Sequence, residues 1–224
     1  MQRGQFILKQ SFLIFFTLAL VGSVFSIGWG QPKSPPFPLL SPPKAPFWRV
    51  KPKVYQKILE NRSIVVSVKT QPLKGGLHQL YMQGAGIVSA PLKYCFAQAR
   101  QFENLKKVSS YIVSARFHSK SQRLYLHTKA YGFHAQMLMQ IYVAPSAFIH
   151  WKVVAGSFTG LRGVFVFKSV GAEKTELSLT AIYPYKTLKM PHFFVEFGLE
   201  VILQKVAWKM RRFIEERYKQ SLRK

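Results

Sequence analysis

Few residues of this 224-residue chain are of types that make and break bonds, and their spacing decides how they read. The six histidines are His78, His118, His127, His134, His150 and His192. None stands in H-E-x-x-H, H-x-H or another metal-ligand spacing, and no cysteine pair exists to complete a zinc site. Cys95 is the only cysteine, so no internal disulfide is possible. Flanked by Tyr94 and Phe96 in an expected helix, it reads as a buried, inert thiol. All eight acids are Glu, and the absence of Asp removes Asp-based triads and EF-hand loops. There is no G-x-S-x-G elbow, P-loop or dinucleotide fingerprint. One acid–base arrangement is conceivable: His127 and His150 on neighbouring strands, with Tyr125 or Glu176 nearby. The plainer reading is ordinary surface or rim histidines. Glu103 is expected to form a structural ion pair with Arg116 or Arg123. The expectation is no catalytic residue, no metal and no cofactor.

Binding is better supported by the pattern. The chain is 48% hydrophobic, enough for a real core. From Ser109 onward, short alternating runs are separated by turn signals every 8–14 residues, as in antiparallel hairpins. Alternation places Tyr111, Val113, Phe117, Leu126, Met139, Ile141, Trp151, Val153, Phe165, Phe167, Leu177 and Leu179 on one face, with Lys129 and Lys152 outside it. Earlier strands are expected over Ser63–Lys69 and Leu77–Ile87, where Gly84 and Gly86 permit a bulge or bend. A short helix through about Phe102 follows Pro91.

The element that must cover this sheet is the last helix, expected over Pro191–Lys219. Val195, Leu199, Ile202, Val206, Met210 and Phe213 recur at steps of three and four. Phe194, Phe197, Val201 and Trp208 widen that stripe.

The net charge is +25, from 33 Lys and Arg against 8 acids. That favours polyanionic partners, although a general basic bias would look the same. Residues 205–224 hold eight Lys and Arg against two Glu. With the apolar face of the helix gripped by the sheet, Lys205, Lys209, Arg211 and Arg212 remain outside for an anionic membrane surface. No nucleic-acid module stands out, and a monomer is expected.

Residues 1–29 read as a signal peptide or N-terminal membrane anchor. Arg3 and Lys9 precede an uncharged, mostly apolar run over 11–29, and Val24-Phe25-Ser26 offers a cleavage site. An exported protein is expected, periplasmic or secreted, either free or held at the inner membrane by residues 11–29. Residues 30–53 contain eight of the thirteen prolines and read as an extended linker, which Phe47 and Trp48 dock onto the domain. The domain itself is expected over 54–221.

The order β, β, short α, about six β, long α resembles the START/polyketide-cyclase (SRPBCC) superfamily. The carrying residues are Val88-Ser89-Ala90-Pro91-Leu92 with the Phe96 helix, Ile149-His150-Trp151, Gly156-Ser157-Phe158, Leu161-Arg162-Gly163, Lys174-Thr175-Glu176-Leu177-Ser178-Leu179 and Pro184. The resemblance spans about Val54–Lys219. It implies an α+β helix-grip fold, a curved antiparallel sheet around a long C-terminal helix. It also implies a mainly apolar cavity between the two, which relatives use for lipids, sterols, quinones or polyketides, some with cyclisation chemistry. A cavity of ~300–1,000 Å³ is expected on this basis. The face residues would then line it, although each could equally pack a solid core. The resulting expectation is an exported, non-enzymatic carrier of a hydrophobic ligand. A cyclase- or hydrolase-type enzyme and a cavity-free basic interaction module are the alternatives.

Overall fold

In the computed structural model the described residues are 35–130, 133–145, 147–187 and 192–223. Residues 1–29, expected as an export segment, lie outside them. Among the described residues no helix is long and apolar enough to cross a membrane.

Two short helices come first, α1 (Phe47–Val50) and α2 (Pro52–Leu59). They lead into β1 (Val65–Pro72) and β2 (His78–Val88). Helices α3 (Leu92–Ala99) and α4 (Leu105–Val108) follow. Then come β3 (Ile112–His118), β4 (Arg123–Ala130), β5 (Phe133–Ala144), β6 (Phe148–Gly156), β7 (Arg162–Gly171) and β8 (Lys174–Tyr185). The chain closes with α5 (His192–Ser221), 30 residues and about 45 Å long. This is the helix-grip arrangement, α+β, with the expected order of elements.

The strands form one eight-stranded sheet in the order β1-β2-β8-β7-β6-β5-β4-β3. Every pairing is antiparallel, and all but β2–β8 join consecutive strands through short hairpin connections. The long-range closure is β2 on β8, which run together from His78↔Tyr185 to Val88↔Thr175. The β1–β2 ladder is unbroken from Val65↔Ala85 to Pro72↔His78, and the β2–β8 ladder runs without a shift through Gly84↔Leu179 and Gly86↔Leu177, so neither glycine forms a bulge. A bulge does occur at Val113, where the β3–β4 register shifts between Ile112 and Ser114.

The inner face of the sheet carries the main core. Leu124, Leu126, Met139, Ile141, Trp151 and Val153 are all almost wholly buried there. The outer face carries a second, smaller core built by the segment expected as a linker. Trp48 of α1 is buried against Ile58, Ala85 and Ile87. Its indole donates to Glu176 Oε1 at 3.3 Å, while Arg49 and the Tyr55 hydroxyl hold Oε2 at 2.5 and 3.1 Å. Residues 47–53 are therefore folded against β2 and β8, not extended. The apolar gain of burying an indole offsets the extended bias of the prolines around it.

Candidate functional site

An apolar hollow lies between α5 and the β1–β2–β8–β7 half of the inner face. Its sheet-side walls are Ile64, Val66, Gly84, Gly86, Val88, Phe165, Leu177 and Leu179. Its helix-side wall is Leu203, Val206, Ala207, Met210 and Arg211. Alternate residues of a strand share a face, so Gly84 and Gly86 remove two side chains from the same side of β2. On β8 their cross-strand partners are Leu179 and Leu177. The volume is about 80 Å³, well below the expected pocket.

Carboxylates tie α5 over this hollow. Glu200 accepts a hydrogen bond from the Val68 amide at 2.9 Å, and Glu196 accepts one from the Thr70 amide at 2.6 Å. Glu215 accepts from the Ser89 amide at 2.7 Å and pairs with Arg62. Strand β1 is a sheet edge, and its free amides would otherwise face solvent or another chain. The helix thus both roofs the hollow and covers the edge.

A second, more open site adjoins the hollow. It is a groove of about 640 Å³ between α5 and the segments around 62–64 and 109–111. Arg62, Ser63, Ser109, Tyr111, Ile202, Gln204, Lys205, Trp208 and Lys209 line it, and Ile64, Val206 and Arg211 belong to both spaces. Lys205 and Lys209 are exposed, whereas Arg211 is half-buried. Arg211 Nη1 donates to the Arg62 carbonyl at 2.5 Å. Burial first, then the neighbouring Arg62 charge, lowers the pKa of Arg211 from its ordinary value.

The structure separates the residues expected as one wall. Phe165, Leu177 and Leu179 line the hollow. Tyr111 and Trp208 line the groove instead. Leu126, Met139, Ile141, Trp151, Val153 and Phe167 pack on one another as solid core. Phe117 joins that core, with its ring 4.8 Å from Phe102. Val113 is 41% exposed, because the bulge turns it out and lets Ile112 point in. Phe197 is 60% and Trp208 45% exposed, so the widening of the helix stripe falls on the solvent side. Val201 is half-buried and lines neither space. The Phe194 side chain lies outside the described residues. Of the basic set, Lys205, Lys209 and Arg211 line the groove. Arg212 stands apart, over the Trp208 ring at 4.8 Å and paired with Glu216 at 3.1 Å.

The wall residues missed from sequence are Ile64, Val66, Gly84, Gly86, Val88, Leu203, Val206, Ala207 and Met210. Val206 and Met210 belonged to the narrow helical stripe. The strongest unused signal was the Gly84–Gly86 spacing, two absent side chains on one face of an otherwise apolar strand.

The acid–base arrangement does not form. His127 is on β4 and His150 on β6, with β5 between them. His127 Nε2 meets His134 Nδ1 at 3.1 Å on the surface. His150 is buried beside the rings of Phe148 and Tyr142, and burial lowers its pKa. Glu176 is engaged by Trp48, Arg49 and Tyr55 on the outer face. Burial raises the Cys95 thiol pKa to about 11, and its Sγ lies 3.5 Å from the Ala90 carbonyl. Among the described residues no three of His, Cys and Glu gather in a metal-binding cluster.

No family model and no curated protein matches the chain. Solved structures do. A START superfamily protein from Mycobacterium smegmatis superposes with a TM-score of 0.53 at 17% identity, over 62% of this chain and 97% of its own. The Zhui aromatase/cyclase from a Streptomyces species gives 0.53 at 12% identity, over 65% of this chain and 96% of its own. The di-domain aromatase/cyclase BexL gives 0.51 at 12% identity, over 62% and 50%. At these identities the likeness establishes the START-like fold.

Proposed function

We propose that this START-like helix-grip fold is a carrier for a hydrophobic ligand, held between β1–β2–β8 and α5. The observation that carries the reading is the apolar hollow roofed by Leu203, Val206 and Met210 over Gly84 and Gly86. At about 80 Å³ it has room for a short aliphatic segment only, about half of the roughly 150 Å³ void that takes up benzene. Each methylene buried there contributes about 0.8 kcal/mol, without any catalytic group. A longer occupant requires α5 to lift from the sheet, against the ties of Glu196 and Glu200 to β1 and of Glu215 to Ser89 and Arg62. Residues 1–29, read as an export signal, put the carrier outside the cytoplasm or at the membrane face. The basic outer side of α5 would draw it to anionic bilayers, where ligand is collected and delivered.

The test is native mass spectrometry on the protein purified without detergent and offered a lipid extract. The expected result is a reproducible adduct of lipid mass that Gly86→Leu, filling the hollow, abolishes while circular dichroism stays unchanged. A clean apo mass after exposure to lipid would sink the carrier reading.

A further inference from the structure

The hollow and the groove share a wall, and their chemistries are opposite. Ile64, Val206 and Arg211 border both. On one side the lining is almost entirely apolar; on the other stand Arg62, Lys205, Lys209 and Arg211 with Tyr111 and Trp208. The only carboxylate described on this cationic cluster is Glu215, and it is occupied by Arg62 and the Ser89 amide. Lys205 and Lys209 have no ion pair among the described residues. Two uncompensated ammonium groups and a half-buried guanidinium therefore face a space that opens beside an apolar hole.

We propose that the groove is a headgroup site for a single-chain anionic amphiphile whose tail enters the adjoining hollow past Ile64 and Val206. Lys205 and Lys209 act as point charges on the anion. Arg211, held by the Arg62 carbonyl, offers its remaining N–H donors at the divide. Trp208 and Tyr111 supply flat apolar walls for the first carbons of the chain. The inference deepens the carrier reading and rests on it: it names the charge of the cargo and the place where that charge is read.

Titration calorimetry on the full chain, below the micelle concentration of each probe, tests it with three probes. These are dodecyl phosphate, zwitterionic dodecylphosphocholine and inorganic phosphate. Dodecyl phosphate is expected to bind about tenfold more tightly than dodecylphosphocholine at low salt, a preference that shrinks as salt rises. Lys205→Gln with Lys209→Gln, two exposed changes that leave the core intact, should erase that preference. Gly86→Leu should weaken both dodecyl probes together, because it blocks the tail. Equal affinity for the two dodecyl probes, or indifference to the lysine changes, overturns the headgroup site. Inorganic phosphate binding as tightly as dodecyl phosphate, or dodecyl phosphate binding untouched by Gly86→Leu, overturns the link between groove and hollow. Affinity only for anionic vesicles, with none for the monomeric probes, overturns the inference in favour of a membrane surface. Charge-blind uptake leaves the carrier reading standing, whereas no uptake of any chain, from probes or from a lipid extract, removes the carrier reading itself.

Discussion

The inner face of one sheet has two halves that behave differently. Over β4, β5 and β6, Leu126, Met139, Ile141, Trp151 and Val153 are at most 2% exposed and pack into one apolar cluster. Over β1, β2 and β8, the facing positions include Gly84 and Gly86, and Leu177 and Leu179 remain only half-buried. Both halves are built from alternating apolar strands. The difference is side-chain volume: large residues meet in one half, and two glycines are opposed to leucines in the other. A solid half can hold the geometry of the sheet while a hollow half remains available to a ligand.

Truncation on each side should separate the halves most widely. Leu126→Ala leaves a cavity in a packed core and is expected to cost about 3 kcal/mol. Leu177→Ala enlarges a hollow that already exists and is expected to cost about 1 kcal/mol. Urea denaturation of both variants measures the gap. Equal losses would mean that the two halves are packed alike.

The glycines give a second pair of probes. A Cβ on Gly163 would lie 2.5 Å from Trp151 Cζ2 and 2.9 Å from the Thr180 carbonyl oxygen. Trp151 is pinned in the solid half, so Gly163→Ala is expected to cost about 2 kcal/mol. A Cβ on Gly86 would meet Ile64 Cγ1 at 3.1 Å, the end of a side chain that borders the hollow and can move. Gly86→Ala is expected to change stability by less than about 1 kcal/mol. A larger loss at Gly86 than at Gly163 would invert the comparison.

The architecture was legible in the sequence because each strand alternates and each turn is marked. The β3–β8 meander and the start of α5 needed only period two, period three-to-four and Gly or Pro punctuation. Which part of the inner face is empty was not legible from the same rules. Period two assigns a side but not a volume, so Trp151 and Leu177 read alike. A one-residue bulge at Val113 changed the side as well. On α5 apolar residues occur nearly all round, so the stripe could be rotated. Phe193 and Phe197, stacked at 6.4 Å, face out, while Leu203 and Ile214 face in. Docking of α1 through Phe47 and Trp48 was legible from two large aromatics in a proline-rich stretch, but its partner, Glu176, lies 128 positions away and local composition cannot show it.

The roof of the hollow can be loosened separately from its floor. Glu200→Ala removes the acceptor for the Val68 amide on the sheet edge. A hydrogen bond to a carboxylate on a partly exposed edge is worth about 1 kcal/mol net, so global stability should fall by that amount. Hydrogen exchange should quicken first at Val68 and its β1 neighbours, with the amides of Leu126 and Ile141 unchanged. Uniform acceleration across the sheet would mean that the two halves open as one unit.

The smallest effect belongs to the outer face behind the solid half. His150 is 6% exposed between Ile149 and Trp151, and its Nδ1 has no hydrogen-bond partner in the structure. Burial disfavours the imidazolium and lowers the pKa below the ordinary 6.5. In the unfolded chain the same histidine takes up its proton first as pH falls through about 6.5. The unfolded state then binds more protons than the folded one, so this histidine's contribution is intact above that pH and declines below it, down to the folded-state pKa. The slope from one group is at most about 1.4 kcal/mol per pH unit. The stability of the parent minus that of His150→Gln should be flat above pH ~6.5 and fall on the acid side. A flat difference throughout would show that the imidazole is hydrated in the folded protein, and that the sheet behind the solid half is open to water.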